Sequence, residues 1–490
     1  LSTNETVNTG TRVFDVVVVG NGALGSSVAL TLARRGQKVA LLGQPHRPYA
    51  ASTAAGAMLG CFGEVTTTLV ASDEGRSKLE LDIAATALWP EWSAELAAET
   101  DGVDVRTANG TVVMLNTIGV PGIDDANFEA IRAEMRRYDA PFEDVDPADV
   151  DWLDPHPSSR PLRAFYIPGE HAVDSHALLL QLQNAFLKAG GTVIPEFASR
   201  VEYASGKVEG VVLESGTRLS APDVVLAAGA KSQDLLDTVP DVASRVPRLV
   251  SGYGVSVLVK TEDGTSPDSV IRTPNRAFAC GLHVVPRSQG KVYVGATNII
   301  SPDPVDTPVM RDVLFLLDCV NKQVRRNLWD SGIDKIQVGN RPVALDGFPL
   351  LGEAELDGLW MMTGTYRDGL HLSPLLAGEM TARILGEKPA HDLDVFQPVR
   401  SPIQTATRQE TVETAVTHML ATGYEYNWQV PVDWPVIIEK NLTASYQRWA
   451  DELDPQFTPP PELLASSRIH PSLVKALRDY YAASRTASGS

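Results

Sequence analysis

Phe14-Asp15-Val16-Val17-Val18-Val19-Gly20-Asn21-Gly22-Ala23-Leu24-Gly25 sets four consecutive valines directly before three glycines spaced Gly-x-Gly-x-x-Gly. An apolar-periodic stretch follows through Arg35 and stops at Gly36, and a second β-rich run occupies 38–42. Strand, tight turn, helix and strand within about 30 residues make a βαβ unit, the context in which the glycine spacing acquires chemical meaning. Gly20 then makes the sharp turn, Gly22 lets the backbone approach a pyrophosphate, and Gly25 allows the helix to pack closely on the strand. The helix start at Ala23 and Leu24 offers unsatisfied N–H groups to the anion. A side chain at Gly22 is expected to block a dinucleotide.

Which dinucleotide binds is left open by this segment. The acidic residue that usually ends the second strand and holds the adenosine ribose is missing, because Leu41 and Leu42 are followed by Gly43 and Gln44. Gln44 is counted among the candidate cofactor contacts, while Arg47 nearby, on this segment alone, argues for the 2′-phosphate of NADP.

Composition narrows the class. At 490 residues, with 43% hydrophobic and 21% charged side chains, the chain has ordinary globular usage and length for two or three domains. Its 42 basic and 61 acidic residues give a formal charge of −19, which argues against nucleic-acid and anionic membrane partners. No run approaches the roughly 20 apolar residues of a membrane span. Cys61, Cys280 and Cys319 are scattered without metal-ligand or disulfide spacing, which fits a reducing cytoplasm. His156, His171 and His176 fall in unrelated contexts, so no metal is expected.

Three further blocks arbitrate. The first is Ala51-Ser52-Thr53-Ala54-Ala55-Gly56-Ala57-Met58, a run of small residues that lets backbone lie flat against a partner. The second begins at Asp174, a fair N-cap for a helix over 175–189 stopped by Gly190-Gly191. It continues through strands at 192–194, 200–203, 208–213 and 223–226 and ends in Ala227-Ala228-Gly229. The third is Gly339-Asn340-Arg341-Pro342, then Asp346-Gly347-Phe348-Pro349, then Gly364-Thr365-Tyr366-Arg367-Asp368-Gly369-Leu370-His371-Leu372. In this order, over roughly residues 13 to 390, the chain resembles the D-amino-acid oxidase and glycine oxidase family of FAD-dependent enzymes.

That resemblance selects FAD, bound non-covalently. It implies that Ser52, Thr53, Ala54, Ala55, Gly56 and Met58 pass beside the flavin ring, and that the backbone of Val201 meets the adenine. Ala228 and Gly229 would lie near the pyrophosphate, and Arg367, Asp368, Gly369, Leu370, His371 and Leu372 would run under the flavin pyrimidine. Arg341 would clamp a substrate carboxylate, for which a planar fork of two parallel donors is suited. Arg367 is divided between substrate contact and a structural ion pair. His283 and Asn298 stand where the family has a tyrosine and an apolar residue, so the expected pocket is more polar than one for glycine. Cys61 follows the small-residue loop and is expected to be a packed thiol, not a flavin attachment.

The implied fold is α/β, a Rossmann-like FAD-binding domain of the glutathione-reductase class interleaved with a mixed, largely antiparallel β-sheet substrate domain. The first is expected from 13–100, 169–246 and 336–395, and the second from 101–168 and 247–335. A mainly helical extension over 396–490 and a flexible tail over 1–12 complete the division. In the extension, 410–423, 436–453 and 471–484 read as helices, and Trp428, Trp434 and Trp449 are expected to be buried. Wrapping of the cofactor domain is the favoured role for it, over covering the active site or a subunit contact.

The activity implied is oxidation of a carbon–nitrogen bond in a small polar amine or amino acid by hydride transfer to flavin. An imine or carbonyl product results, with oxygen as acceptor and hydrogen peroxide as by-product, in a cytoplasmic protein that is a possible homo-oligomer. Three alternatives stay open: a flavin-dependent dehydrogenase of a hydroxy acid or amine with another acceptor, an NADP-dependent reductase, and a non-catalytic flavoprotein.

Overall fold

In a computed structural model, residues 12–100, 102–276 and 281–488 are described. Residues 1–11 of the expected tail, and Cys280, lie outside them. Arg12, assigned to that tail, instead opens a short strand with Val13 that pairs with Arg218–Ser220.

The four valines explain the first sheet. Val16 and Val18 enter one apolar core, with the helices Ala23–Arg34 and Ser175–Lys188, while Val17 and Val19 enter the core on the opposite face. A strand buried on both sides reads as a continuous apolar run without alternation. Among the described residues it lies third in a six-stranded sheet ordered Thr192–Ile194, Val39–Leu42, Val16–Val19, Asp223–Leu226, Leu359–Thr363 and Leu350–Glu353. The first five run parallel and the last pair is antiparallel. Asp174 caps its helix as the sequence suggests, accepting from the His176 and Ala177 amides at 2.9 and 3.0 Å.

A second sheet, nine-stranded among the described residues, is mixed. Its ladders are antiparallel except where Val270–Arg272 runs alongside Thr111–Asn116. The long antiparallel pair Leu249–Lys260 and Gly332–Ala344 carries the residues that matter for the site, and the second of these strands runs through the expected division at 335/336. The segments that read as β-rich also hold two helices, Asp124–Arg137 and Met310–Gln323, which pack on the sheet. The helix Asp73–Glu99, outside those segments, has no clear apolar stripe and carries Pro90 in its interior, which hides it from periodicity. Ser72 starts it by accepting from the Gly75 amide at 3.0 Å.

The carboxy-terminal region is helical: Arg408–Glu425, Trp434–Leu453, Pro461–Ser467 and Pro471–Ser488. The third lies beyond a proline-rich stretch and escapes the sequence reading, since Pro is tolerated in a first helical turn. Leu393 and Phe396 join the core of the six-stranded sheet, but the later helices seat on Val250, Ile300, Val343 and Leu345 of the large-sheet side. Trp434 is 52% exposed, against the expectation of burial, because it starts a helix whose first turn packs on little. Trp449 does find a partner, donating to Ser467 Oγ at 2.8 Å.

Candidate active site

The two sheets share a cavity of about 330 Å³. One end is made by the glycine turn. Gly20 has φ +113°, and a Cβ there would strike the Ala227 carbonyl; a Cβ on Gly25 would strike Gly20 itself. Gly25 therefore shapes the turn from behind and does not line the cavity, whereas Gly20, Gly22, Ala23 and Leu24 do. A Cβ on Gly22 would meet only Ser52 Oγ at 3.3 Å, so the face beside it is open.

Gly22 is also the N-cap of Ala23–Arg34, without a side chain to cap the helix or an acid in its first turn. A neutral helix start facing a cavity is suited to an anion. Ser52 already takes the Ala23 amide at 3.1 Å. Ala54, Ala55, Gln44, Ala228 and Gly229 line the same end.

The missing ribose acid has a structural counterpart. A Cβ at Gly43 would collide with the Asn21 side chain, whose Nδ2 donates to the Gln44 carbonyl at 3.0 Å. Arg47 lines the cavity too, but its Nε donates to the Asn21 carbonyl at 2.8 Å and one Nη to Gln183 at 3.2 Å.

Several expected contacts face elsewhere. The Val201 amide donates to Thr238 Oγ1 at 3.1 Å and its side chain is in the core, while Glu196, Phe197 and Ala198 form the cavity wall instead. Thr53 gives its carbonyl to Gln337, Gly56 backs onto Tyr293 and His283, and Met58 packs in a small cluster with Tyr293. Asp368, His371 and Leu372 turn toward the helix Asp73–Glu99. Asp368 pairs with Lys78, His371 Nε2 meets the Asp82 carbonyl at 2.8 Å, and Leu372 is buried; Gly369 and Leu370 keep to the cavity. Cys61 lies in a separate apolar cluster, and burial together with Glu170 pushes its thiol well up.

The other end is built from side chains. Arg341 and Arg367 both line it. Arg341 Nη1 donates to the Thr297 carbonyl and to Asn298 Oδ1, each at 3.1 Å, and more weakly to the Gly252 carbonyl at 3.4 Å. A Cβ on Gly254 would stand in the place of that guanidinium, so the alternate glycines of Gly252-Tyr253-Gly254 make the groove in which it lies. This glycine pair is the sequence signal for the groove.

Asn298 is not a cavity-wall residue: its Nδ2 donates to the Tyr366 hydroxyl, and Tyr366, held at φ +55°, donates its own amide to the Pro342 carbonyl at 3.0 Å. Arg367 stacks on the Tyr366 ring at 5.1 Å. His283 is 3% exposed, does not line the cavity, and lies against Tyr293 with ring centroids 5.7 Å apart. Burial lowers its imidazole to about 4, so it is neutral at pH 7 and bonds the Gly281 carbonyl at 2.8 Å.

Buried charge surrounds this end. Although burial works against it, Arg272 and Arg367 hold the Glu64 carboxyl down at about 2. Glu462, from the carboxy-terminal helices, is pushed up to about 7 by burial despite Arg367. The arrangement can receive a long anionic cofactor on backbone amides at one end and a small anion on a guanidinium at the other.

The family described as FAD dependent oxidoreductase, DAO, matches residues 15–384. Glycine oxidase of Geobacillus kaustophilus is 27% identical over 401 residues, 80% of this chain and 98% of that relative. Glycine oxidase of Pseudomonas putida is 27% identical over 389 residues, 78% and 98% of the two chains. The crystal structure of the Geobacillus kaustophilus glycine oxidase superimposes with TM-score 0.68 at 24% identity, over 80% of this chain and 99% of that one. Iminodiacetate oxidase from Chelativorans sp. BNC1 does so with TM-score 0.66 at 20% identity, over 79% and 100%. The match to the family ends before the four carboxy-terminal helices.

Proposed function

The chain belongs to the FAD-dependent oxidoreductase family, and on that premise we propose that it oxidises the carbon–nitrogen bond of a small polar amino acid or amine. One observation carries the reading: a single cavity joins an uncapped helix start to Arg341. The glycine turn and Gly22 fit the FAD pyrophosphate, and the lining at Glu196–Ala198 fits its adenosine end. The six-stranded sheet is read as Rossmann-like, of the glutathione-reductase class. FAD, held non-covalently, supplies a two-electron acceptor for the hydride that leaves the carbon bearing nitrogen.

The protein's own groups bind and orient. Arg341 takes the substrate carboxylate through the part of its fork that faces the cavity, and charge-assisted bonds of this kind are worth on the order of 1.5–3 kcal/mol. Holding the reacting carbon in place accounts for much of the rate, so no dedicated acid or base is required. Arg367, stacked on Tyr366 and balanced by Glu64, acts as a wall and field source more than as a second clamp. The imine product hydrolyses to a carbonyl compound and ammonia or a smaller amine, with oxygen taking the electrons to give hydrogen peroxide. The resemblance of 27% to glycine oxidases supports this reaction type. The two buried free thiols, Cys61 and Cys319, support a cytoplasmic setting.

A visible absorption spectrum of the purified protein, repeated on the supernatant after denaturation, tests the cofactor. Flavin bands released as free FAD are expected; a colourless protein that cannot be reconstituted rejects the proposal. Anaerobic bleaching by a panel of amino acids and amines then tests the substrate.

A further inference from the structure

The carboxy-terminal helices lie outside the region matched by the family, yet they cover the sheet face that carries Arg341. Arg341 and Val343 are two apart on one strand and so point to the same side. Their partners across the ladder are Gly252 and Val250, and Gly252 pairs in turn with Ile300. Val250, Ile300 and Val343 are buried in one apolar cluster with Val412 and Val416 of the helix Arg408–Glu425 and with Leu463 and Leu464 of Pro461–Ser467. The Tyr366 ring packs on the same cluster.

A polar chain starts where that apolar contact ends. The Tyr366 hydroxyl receives the Asn298 amide, and Asn298 Oδ1 receives Arg341 Nη1 at 3.1 Å. The centre of the junction is filled to its limit, since a Cβ on Gly252 would press to 3.0 Å from both Asn298 Oδ1 and the Tyr366 ring and to 3.1 Å from Val343.

We propose that the carboxy-terminal helices seat the substrate arginine. By fixing the Tyr366 ring they fix Asn298, and Asn298 is a positioning residue that holds one guanidinium nitrogen and leaves the rest of the fork presented to the cavity. The proposed carboxylate clamp is thereby aimed by a segment that lies beyond the family match, and Asn298 acts on substrate through Arg341 without touching it. The inference rests on Arg341 being the clamp.

The test uses the FAD-loaded enzyme and acetate as probe, with affinity read from the perturbation of the visible spectrum. Arg341→Ala is expected to weaken acetate by at least about tenfold, and Asn298→Ala by about fivefold or more, with KM for substrate rising and kcat nearly unchanged. Tyr366→Phe, which keeps the ring in the cluster, weakens acetate in the same direction and covers the case in which Asn298→Ala does not fold. The double variant should be no worse than Asn298→Ala, because the two act in series.

Coupling is reciprocal, so acetate should slow amide hydrogen exchange in 408–425 and 461–467 in the unmutated enzyme and should cease to do so in Asn298→Ala. Acetate affinity lost in Arg341→Ala but kept within about twofold in Asn298→Ala and Tyr366→Phe overturns the seating and leaves the clamp standing. Exchange in both helices that ignores acetate also overturns the seating. Affinity unchanged in Arg341→Ala overturns the clamp and the seating together.

Discussion

The two ends of the cavity are made from different materials. The dinucleotide end is backbone: a glycine turn, the start of one helix, and runs of alanine whose side chains only stay out of the way. The other end is side chains brought from distant places, with Arg341 from a long strand, Asn298 from a loop after another, and Tyr366 and Arg367 from a turn. A backbone-built site depends on where side chains are absent. A side-chain-built site depends on register, and it needs buried charges to balance one another.

The largest expected effect separates two glycines of the same motif. Gly25→Ala drives a methyl into the Gly20 carbonyl and should cost the cofactor-free protein about 3 kcal/mol or more, seen as a large fall in unfolding midpoint. Gly22→Val should lower that midpoint much less, by about the 1 kcal/mol of a lost N-cap, and abolish flavin binding, because a Cβ at Gly22 meets only Ser52 Oγ at 3.3 Å. If both variants lose stability alike, the cofactor end is not an open backbone surface.

Buried charge at the substrate end gives the next effect. Glu462 protonates more readily folded than unfolded, so its contribution is full below its ordinary value near 4.5 and gone once pH passes about 7. Relative to Glu462→Gln, the unmutated protein should lose on the order of 3 kcal/mol of unfolding free energy between pH 4.5 and pH 8. Parallel pH curves for the two proteins would show that the carboxyl is not held protonated beside Arg367.

Arg341→Ala follows, with kcat/KM for carboxylate substrates lowered by about tenfold or more and the flavin spectrum retained. Loss of the spectrum instead would mean that the two ends are not independent. Smallest is Ser52→Ala, which frees the Ala23 amide and should cost about 1 kcal/mol of stability while changing FAD affinity less than tenfold. A larger loss of affinity would give the Ser52 hydroxyl a direct part in holding the cofactor.

This contrast also explains what could be read beforehand. The run Val16–Val19, the glycine spacing and the Asp174 cap are local facts, set by sterics and burial within a few residues, and each stands where its residues predict. The cavity wall at Glu196–Ala198 lies beside Val201, whose amide is taken by Thr238, because alternation in a strand does not say where its edge begins to face a cavity. His283 and Asn298, from their places on or beside strands, suit either a pocket wall or a structural role. One stacks on Tyr293 in a buried layer, and the other bonds Arg341 and Tyr366. Neither outcome is encoded in local pattern, since each depends on which residue lies opposite across the sheet. The helix Asp73–Glu99 shows the same limit at the level of folding, because its ordering comes from many neighbours and not from an apolar stripe.

The position of the carboxy-terminal helices over Val250, Ile300 and Val343 orders events in time. During synthesis from the amino terminus, the residues that build the dinucleotide end are complete once Leu370 has emerged, but the cover over the Arg341 strand must wait for Leu463 and Leu464. On the proposed reading, the nascent chain therefore passes through an interval in which every residue for the cofactor has emerged and the cover over the Arg341 strand has not.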